Sequence, residues 1–343
     1  MRYTVASLVL ALLVSVLSFA TPGPAQDAQV PLPVPAPEPP PPPPRCGTRP
    51  ITIARMQWPS AEILAEIHAR LLQSQFDCSV RVVPGDLAAT ASSMSSNGRP
   101  TIAPELWLTR VSDIWNAAVD AQSVRAGAST FSGGDFEGWY IPGYLADAHP
   151  ELASAAALKP NWAAFSAGGG KPRFISCPPD WSCAVLNRNL LKAYGLLDQV
   201  DLVEPANRLA LDRAIAQAVS RREPFMFYYW QPNALLAQFD FRALDMGAYK
   251  PDDFKCLGKR DCADPQPSAF ANEPVVIAFA DWLASEAPEV AGYLQRASVP
   301  FSRMNELWSA QSDSASDPVA AANRFISEHP EIWGSWVGGA GIK

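Results

Sequence analysis

Residues Ile51–Val83 read ITIARMQWPSAEILAEIHARLLQSQFDCSVRVV, and this stretch decides the fold class. Ile51-Thr52-Ile53-Ala54 is a short apolar run of the length of a buried strand. Ser60 stands where a helix N-cap is expected. In the run Ala61 to Leu72, residues Ile63, Ile67 and Leu71 fall on one helical face. Val80-Arg81-Val82-Val83 is the next strand. Strand, helix and strand in this order predict a β-α-β unit, a parallel pair joined by a right-handed crossover.

The same alternation continues outward. Thr101-Ile102-Ala103 reads as a strand leading into Pro104-Glu105-Leu106-Trp107, and Ile114 to Val119 as a helix. Further on, Phe174-Ile175-Ser176 is a strand, and Leu186, Leu190 and Tyr194 mark the helix after it. Val200 to Val203 is a strand and Leu209 to Val219 a helix. Phe225 to Trp230 (FMFYYW) is an apolar strand stopped by Pro232. Val319 to Ile326 forms a last helix, with Ile332, Trp333 and Trp336 packing the tail down. Two blocks of strands and helices predict an α/β protein of two lobes. The expected bounds are 46–141 plus 240–343 for the first lobe and 142–239 for the second. Ligands of such sheets sit beyond the carboxyl ends of the strands.

The chain has 343 residues and a formal net charge of -7, with no basic run. That excludes a nucleic-acid binder, which needs clustered Lys and Arg. Arg2, the apolar stretch Val5 to Phe19 and small residues near Ala20 and Ala25 predict an export signal over 1–25 and hence a periplasmic protein. The alternative is an uncleaved anchor. Residues 26–45 are a linker containing PLPVPAPEPPPPPP (Pro31–Pro44), which favours polyproline II and serves as a spacer or a stalk.

Export makes the six cysteines readable as disulfides. Proximity pairs Cys177 with Cys183 and Cys256 with Cys262, leaving Cys46 for Cys78. Zinc is disfavoured, because the C-x5-C spacings are wrong for zinc knuckles and no His lies near them. Catalytic chemistry is equally sparse. The three histidines, His68, His149 and His329, lack metal-ligand spacing, and no G-x-S-x-G elbow occurs. Gly168-Gly169-Gly170-Lys171 lacks the rest of a phosphate loop and reads as a turn. Asp135 and Glu137 could form a glycosidase pair but read better as a solvated turn. No catalytic residue, metal or cofactor is expected.

The chain carries 11 tryptophans. Trp115, Trp282, Trp308, Trp333 and Trp336 lie on helical or tail segments and read as packing residues. Trp58, Trp107, Trp181 and Trp230 lie instead where strands give way to loops, beside Pro or Gly. Trp181 is held in the loop Cys177-Pro178-Pro179-Asp180-Trp181-Ser182-Cys183. A quaternary ammonium has no N–H to donate, so aromatic faces are the tool that suits it. The backbone amides of Ser182 and Cys183, at the start of a helix, suit a carboxylate at the ligand's other end.

At these residues the chain resembles the substrate-binding proteins of ABC importers for glycine betaine, proline betaine and choline. The likeness runs from about Ile51 to Trp336, through WPSAE, IAPELW, GWYIP, CPPDWSC, LKAYGL, FYYWQP and HPEIWGSWV. It implies a two-lobed periplasmic-binding-protein clamshell, each lobe a mainly parallel sheet flanked by helices. It also implies a cage of Trp107, Trp181 and Trp230, with Trp58 matching a cage residue of the choline branch. The Ser182 and Cys183 amides match the carboxylate loop of the betaine branch. Where one betaine type has a His four residues after its first cage Trp, this chain has Val111. Where choline binders have an acid two after theirs, it has Ser60. Glu105, Tyr140 and Tyr229 are further contact candidates.

The expected function is capture of a quaternary-ammonium osmolyte, of betaine rather than choline type, for delivery to an ABC permease, without chemistry. A carbohydrate-binding or carbohydrate-cleaving protein is the alternative, because exposed Trp also stacks on sugars. A membrane-tethered choline or betaine sensor is a third reading.

Overall fold

The computed structural model describes residues 44–165, 170–312 and 317–338. The expected export signal, the linker up to residue 43, and Gly168 and Gly169 of the glycine run lie outside the described residues.

In chain order the strands are β1 (Ile51–Arg55), β2 (Val80–Pro84), β3 (Ile102–Trp107), β4 (Val124–Ser129), β5 (Phe131–Ser132) and β6 (Glu137–Pro142). They continue with β7 (Arg173–Ile175), β8 (Asp201–Val203), β9 (Phe225–Trp230), β10 (Phe241–Ala243), β11 (Val275–Ala280) and β12 (Val299–Pro300). They form two five-stranded sheets, ordered β2-β1-β3-β11-β4 and β8-β7-β9-β6-β10, and a small β5-β12 pair. In the first sheet β1 runs parallel to β2 and β3, while β11 is antiparallel to β3 and β4. In the second, β7 runs parallel to β8 and β9, while β6 is antiparallel to β9 and β10. Each sheet is thus mainly parallel, with only the fourth strand of its order reversed.

The opening β-α-β unit forms as its sequence dictates. Its helix spans Pro59–Phe76, with proline at the first turn, where its missing N–H costs nothing. Ser60 is not the N-cap. The preceding extended residue is Trp58, and the Ser60 hydroxyl turns inward to donate to Glu105. Ile63, Ile67 and Leu71 are buried as the periodicity requires. The helix ends on Asp77 in the left-handed region, φ 59, whose N–H closes onto the Leu72 carbonyl.

β3 passes through Pro104, which has no N–H for the ladder. Opposite it, β11 shifts register between Val276 and Ala278. A bulge on the partner strand accommodates a proline that would otherwise break the pairing. Thr130 donates to the Pro104 carbonyl at 2.8 Å.

Each sheet has its own core. Ile53, Ile67, Phe279, Tyr293, Phe325, Trp333 and Trp336 are buried in the first. Trp139, Phe174, Leu190 and Met226 are buried in the second. β6 and β10 carry hydrogen bonds of the second sheet, and Leu244, Leu257 and Phe270 pack in its core. The chain rejoins the first sheet at Val275. Leu244, Leu257 and Phe270 thus share one core with Trp139 and Phe174.

Cys46–Cys78, Cys177–Cys183 and Cys256–Cys262 are disulfide-bonded. His68 is a core residue: its Nδ1 lies 2.6 Å from the Tyr293 hydroxyl, its ring stacks on Trp336, and burial lowers its pKa to about 3.

Candidate functional site

β3 ends at Trp107 and β9 at Trp230, while Trp181 immediately precedes the helix Ser182–Ala193. The three indoles line one cavity of about 410 Å³. Trp181 and Trp230 meet at 5.4 Å between ring centroids, inclined at 63°. Trp107 stands 5.1 Å from Phe136, which also lines the cavity. Tyr228 completes the aromatic surface, 6.5 Å from Trp230.

Trp58 is not among the residues lining that cavity. It lines a neighbouring one of about 190 Å³ with Leu87, Trp107 and Arg110. Trp107 and Arg110 line both. The Arg110 guanidinium lies 5.1 Å from the Trp107 ring centroid, so a cation already occupies one side of that indole.

Each ring is held from behind. Trp230 stacks on Tyr229 at 4.6 Å, and the Tyr229 hydroxyl donates to Asp212 at 2.5 Å, with the Asn233 amide oxygen 3.2 Å away. Tyr229 therefore supports the wall rather than lining it. Tyr140 is buried and stacks on Phe227, away from the cavity lining. Trp107 and Trp58 both donate their indole N–H to Glu105. Burial pushes that carboxyl up to about 7, against the lowering effect of its hydrogen bonds.

Ser182 and Cys183 line the cavity at the start of the helix Ser182–Ala193. The first amides of a helix have no intrahelical acceptor and attract negative charge. The Trp181 N–H returns to the Pro178 carbonyl at 3.0 Å, and the disulfide closes the same loop.

Two carboxylates and one guanidinium complete the lining: Glu137, Glu273 and Arg110. Glu137 accepts from Tyr228 at 2.9 Å. Burial raises its pKa, Glu273 raises it further, and Tyr228 and Arg110 pull the other way. Glu273 accepts from Thr109. Asp135, the sequence partner suggested for Glu137, is not among the lining residues; its carbonyl accepts from Gln231.

Val111 is buried among apolar residues and offers no polar group. At the other departure from the family pattern, Ser60 donates to Glu105, so a carboxylate does stand beside Trp58 but reaches across from β3. Arg110, Phe136, Tyr228, Gln231 and Glu273 also line the cavity and are not among the residues expected from sequence. Arg110 follows Trp107 by three positions and Tyr228 lies within FYYW, so both could have been sought beside the tryptophans. Phe136 and Glu273 carry no local signal.

The architecture is that of a two-lobed periplasmic binding protein. The solved structure of apo YehZ from Escherichia coli aligns over 83% of this chain and 99% of its own, with 15% identity and a TM-score of 0.58. A glycine betaine/carnitine/choline ABC transporter structure aligns over 82% and 99%, with 13% identity and a TM-score of 0.57. Residues 49–328 match the substrate-binding domain of the ABC-type glycine betaine transport system, and the chain belongs to that family. It is a solute-binding protein of an ABC importer. Such proteins act outside the cytoplasmic membrane, where disulfides persist. No helix among the described residues is long and apolar enough to cross a membrane.

Proposed function

We propose that the protein captures a quaternary-ammonium osmolyte of the glycine betaine type and hands it to its permease unchanged, with no catalytic step. The observation that carries this reading is the cavity of about 410 Å³ lined by Trp107, Trp181 and Trp230, indoles from three separate elements. Each face contributes roughly 0.5–2 kcal/mol to holding a methylated ammonium. Three faces supply a large part of the ~8 kcal/mol of micromolar affinity. Glu137 and Glu273 add negative potential around the cation. The carboxylate end meets the amides of Ser182 and Cys183, with Arg110 as its counter-charge. Trp58 belongs to the layer behind, joined to Trp107 through Glu105.

Residues 137–270 would move as one lobe and residues 46–136 with 275–338 as the other, closing over the ligand. The segment 1–25 would direct export to the periplasm. Calorimetric titration of the folded protein with glycine betaine, proline betaine, choline and a panel of sugars tests the assignment. Saturable binding of a betaine, tighter than of choline, is expected. A sugar as the sole ligand would favour the carbohydrate alternative, to which Glu137 and Glu273 lend the acids it requires.

A further inference from the structure

Glu105 is fully buried near the end of β3, and one of its oxygens collects three hydrogen bonds. Oε1 accepts from the Trp58 indole at 2.8 Å, from the Trp107 indole at 3.1 Å and from the Ser60 hydroxyl at 3.2 Å. Oε2 is buried without a hydrogen-bond partner among the described residues. All three donors are neutral, and they come from two elements: the start of the helix Pro59–Phe76 and the end of β3.

A buried carboxyl is costly where packing alone is required. Indole N–H groups on half-buried rings can also be satisfied by water. Here two of them are drawn to a single point from residues 47 and 2 positions away. An indole has only one N–H, so a shared acceptor fixes how both rings are turned.

We infer that Glu105 is a positioning residue of the aromatic site. By anchoring both indoles on one oxygen it sets the face that Trp107 presents to the ligand cavity, and it couples that face to Trp58. This rests on the reading of the cavity as the ligand site. A second consequence concerns selectivity. A carboxyl oxygen accepting from an indole N–H polarises the ring towards greater negative potential, which strengthens its attraction for a cation. Glu105 thus acts on the ligand through tryptophan, without touching it.

The test compares wild type, Glu105→Gln and Glu105→Ala as full chains, with folding checked by circular dichroism. The indole N–H resonances are assigned with Trp58→Phe and Trp107→Phe. Gln keeps an acceptor oxygen in place; Ala does not. Without ligand, Ala should shift both resonances and speed their exchange with water, while Gln should hold them near their wild-type positions. On titration with glycine betaine, Ala should bind about tenfold more weakly or worse. Gln should recover most of that loss. Unmoved indole signals in folded Glu105→Ala, or wild-type affinity in that variant, would overturn the proposal. Failure of the wild type to bind any methylated ammonium would instead remove the ligand assignment. The ligand-free spectra would still decide whether Glu105 holds the two rings.

Discussion

The two sheets share one strand order and one reversed strand, yet they hold their tryptophans by different means. On the first sheet, Trp107 is fixed by a hydrogen bond to a buried carboxyl that also binds Trp58 and Ser60. On the second, Trp181 sits in a loop closed by Cys177–Cys183, and Trp230 stacks on a tyrosine anchored to Asp212. Both arrangements bring an indole to the lining of the same cavity. A buried acid is sensitive to pH and a disulfide to reduction, so the two walls should fail under different insults.

The largest effect should come from pH at the first wall. The Glu105 carboxyl is lifted from 4.5 to about 7 by burial. Between those values the folded protein keeps a proton there that the unfolded chain has lost. The contribution to stability is therefore full below pH 4.5 and is lost as the pH rises through about 7. His68 works in the opposite sense. Its pKa falls from 6.5 to about 3, so its contribution is present above pH 6.5 and is lost as the pH falls towards 3. Glu105→Gln removes only the first dependence. Between pH 4.5 and 7 the variant should gain on the wild type by on the order of 3 kcal/mol, read by urea unfolding. A difference that does not change with pH would show that the carboxyl is not strained by burial.

Next in size is the covalent brace of the second wall. Replacing Cys177 and Cys183 together by serine opens a loop with a sequence separation of 6. The loss should be about 2 kcal/mol on the chain-entropy account. Thermal unfolding checks the stability, and betaine titration checks the site. The expected signature is weaker binding with the Trp58 and Trp107 indole signals unmoved, since those rings belong to the other wall.

Much of this comparison was legible before the structure, and the reason is locality. Ile51–Val83 announces a strand, a helix and a strand within one short segment, and the Cys177 and Cys183 pair declares its own loop. Trp107 and Trp230 end apolar runs, which is where α/β sheets expose their ligand-facing residues. What was not legible depends on distant partners. β11, VVIAFA, has no alternation and joins the first sheet only by lying between β3 and β4. β6 and β10 find their places against β9 and each other, far apart in sequence. Ser60 looked like a helix cap because its neighbours are helical, but its hydroxyl answers to Glu105 on another element. Nothing local to Glu273 or Phe136 says that they meet the tryptophans at one cavity.

Smaller effects separate the rings themselves. Trp230→Ala removes a face flanked by Trp181 and should weaken betaine binding by up to about 2 kcal/mol, roughly thirtyfold. Trp58→Phe should cost less than about 1 kcal/mol, because Trp58 stands outside the cavity and acts only through Glu105. Equal losses in the two variants would erase the distinction between the ring that meets the ligand and the ring that stands behind it. Calorimetric titration of both variants decides this.

The most direct measurement is a glycine betaine titration of the folded full chain, followed by tryptophan emission in wild type, Trp107→Ala and Trp230→Ala. The account predicts a saturable change in the wild type and markedly weaker binding in both variants, one from each wall. It is contradicted if no methylated ammonium compound produces a saturable response, or if betaine binds with undiminished affinity after either ring is removed.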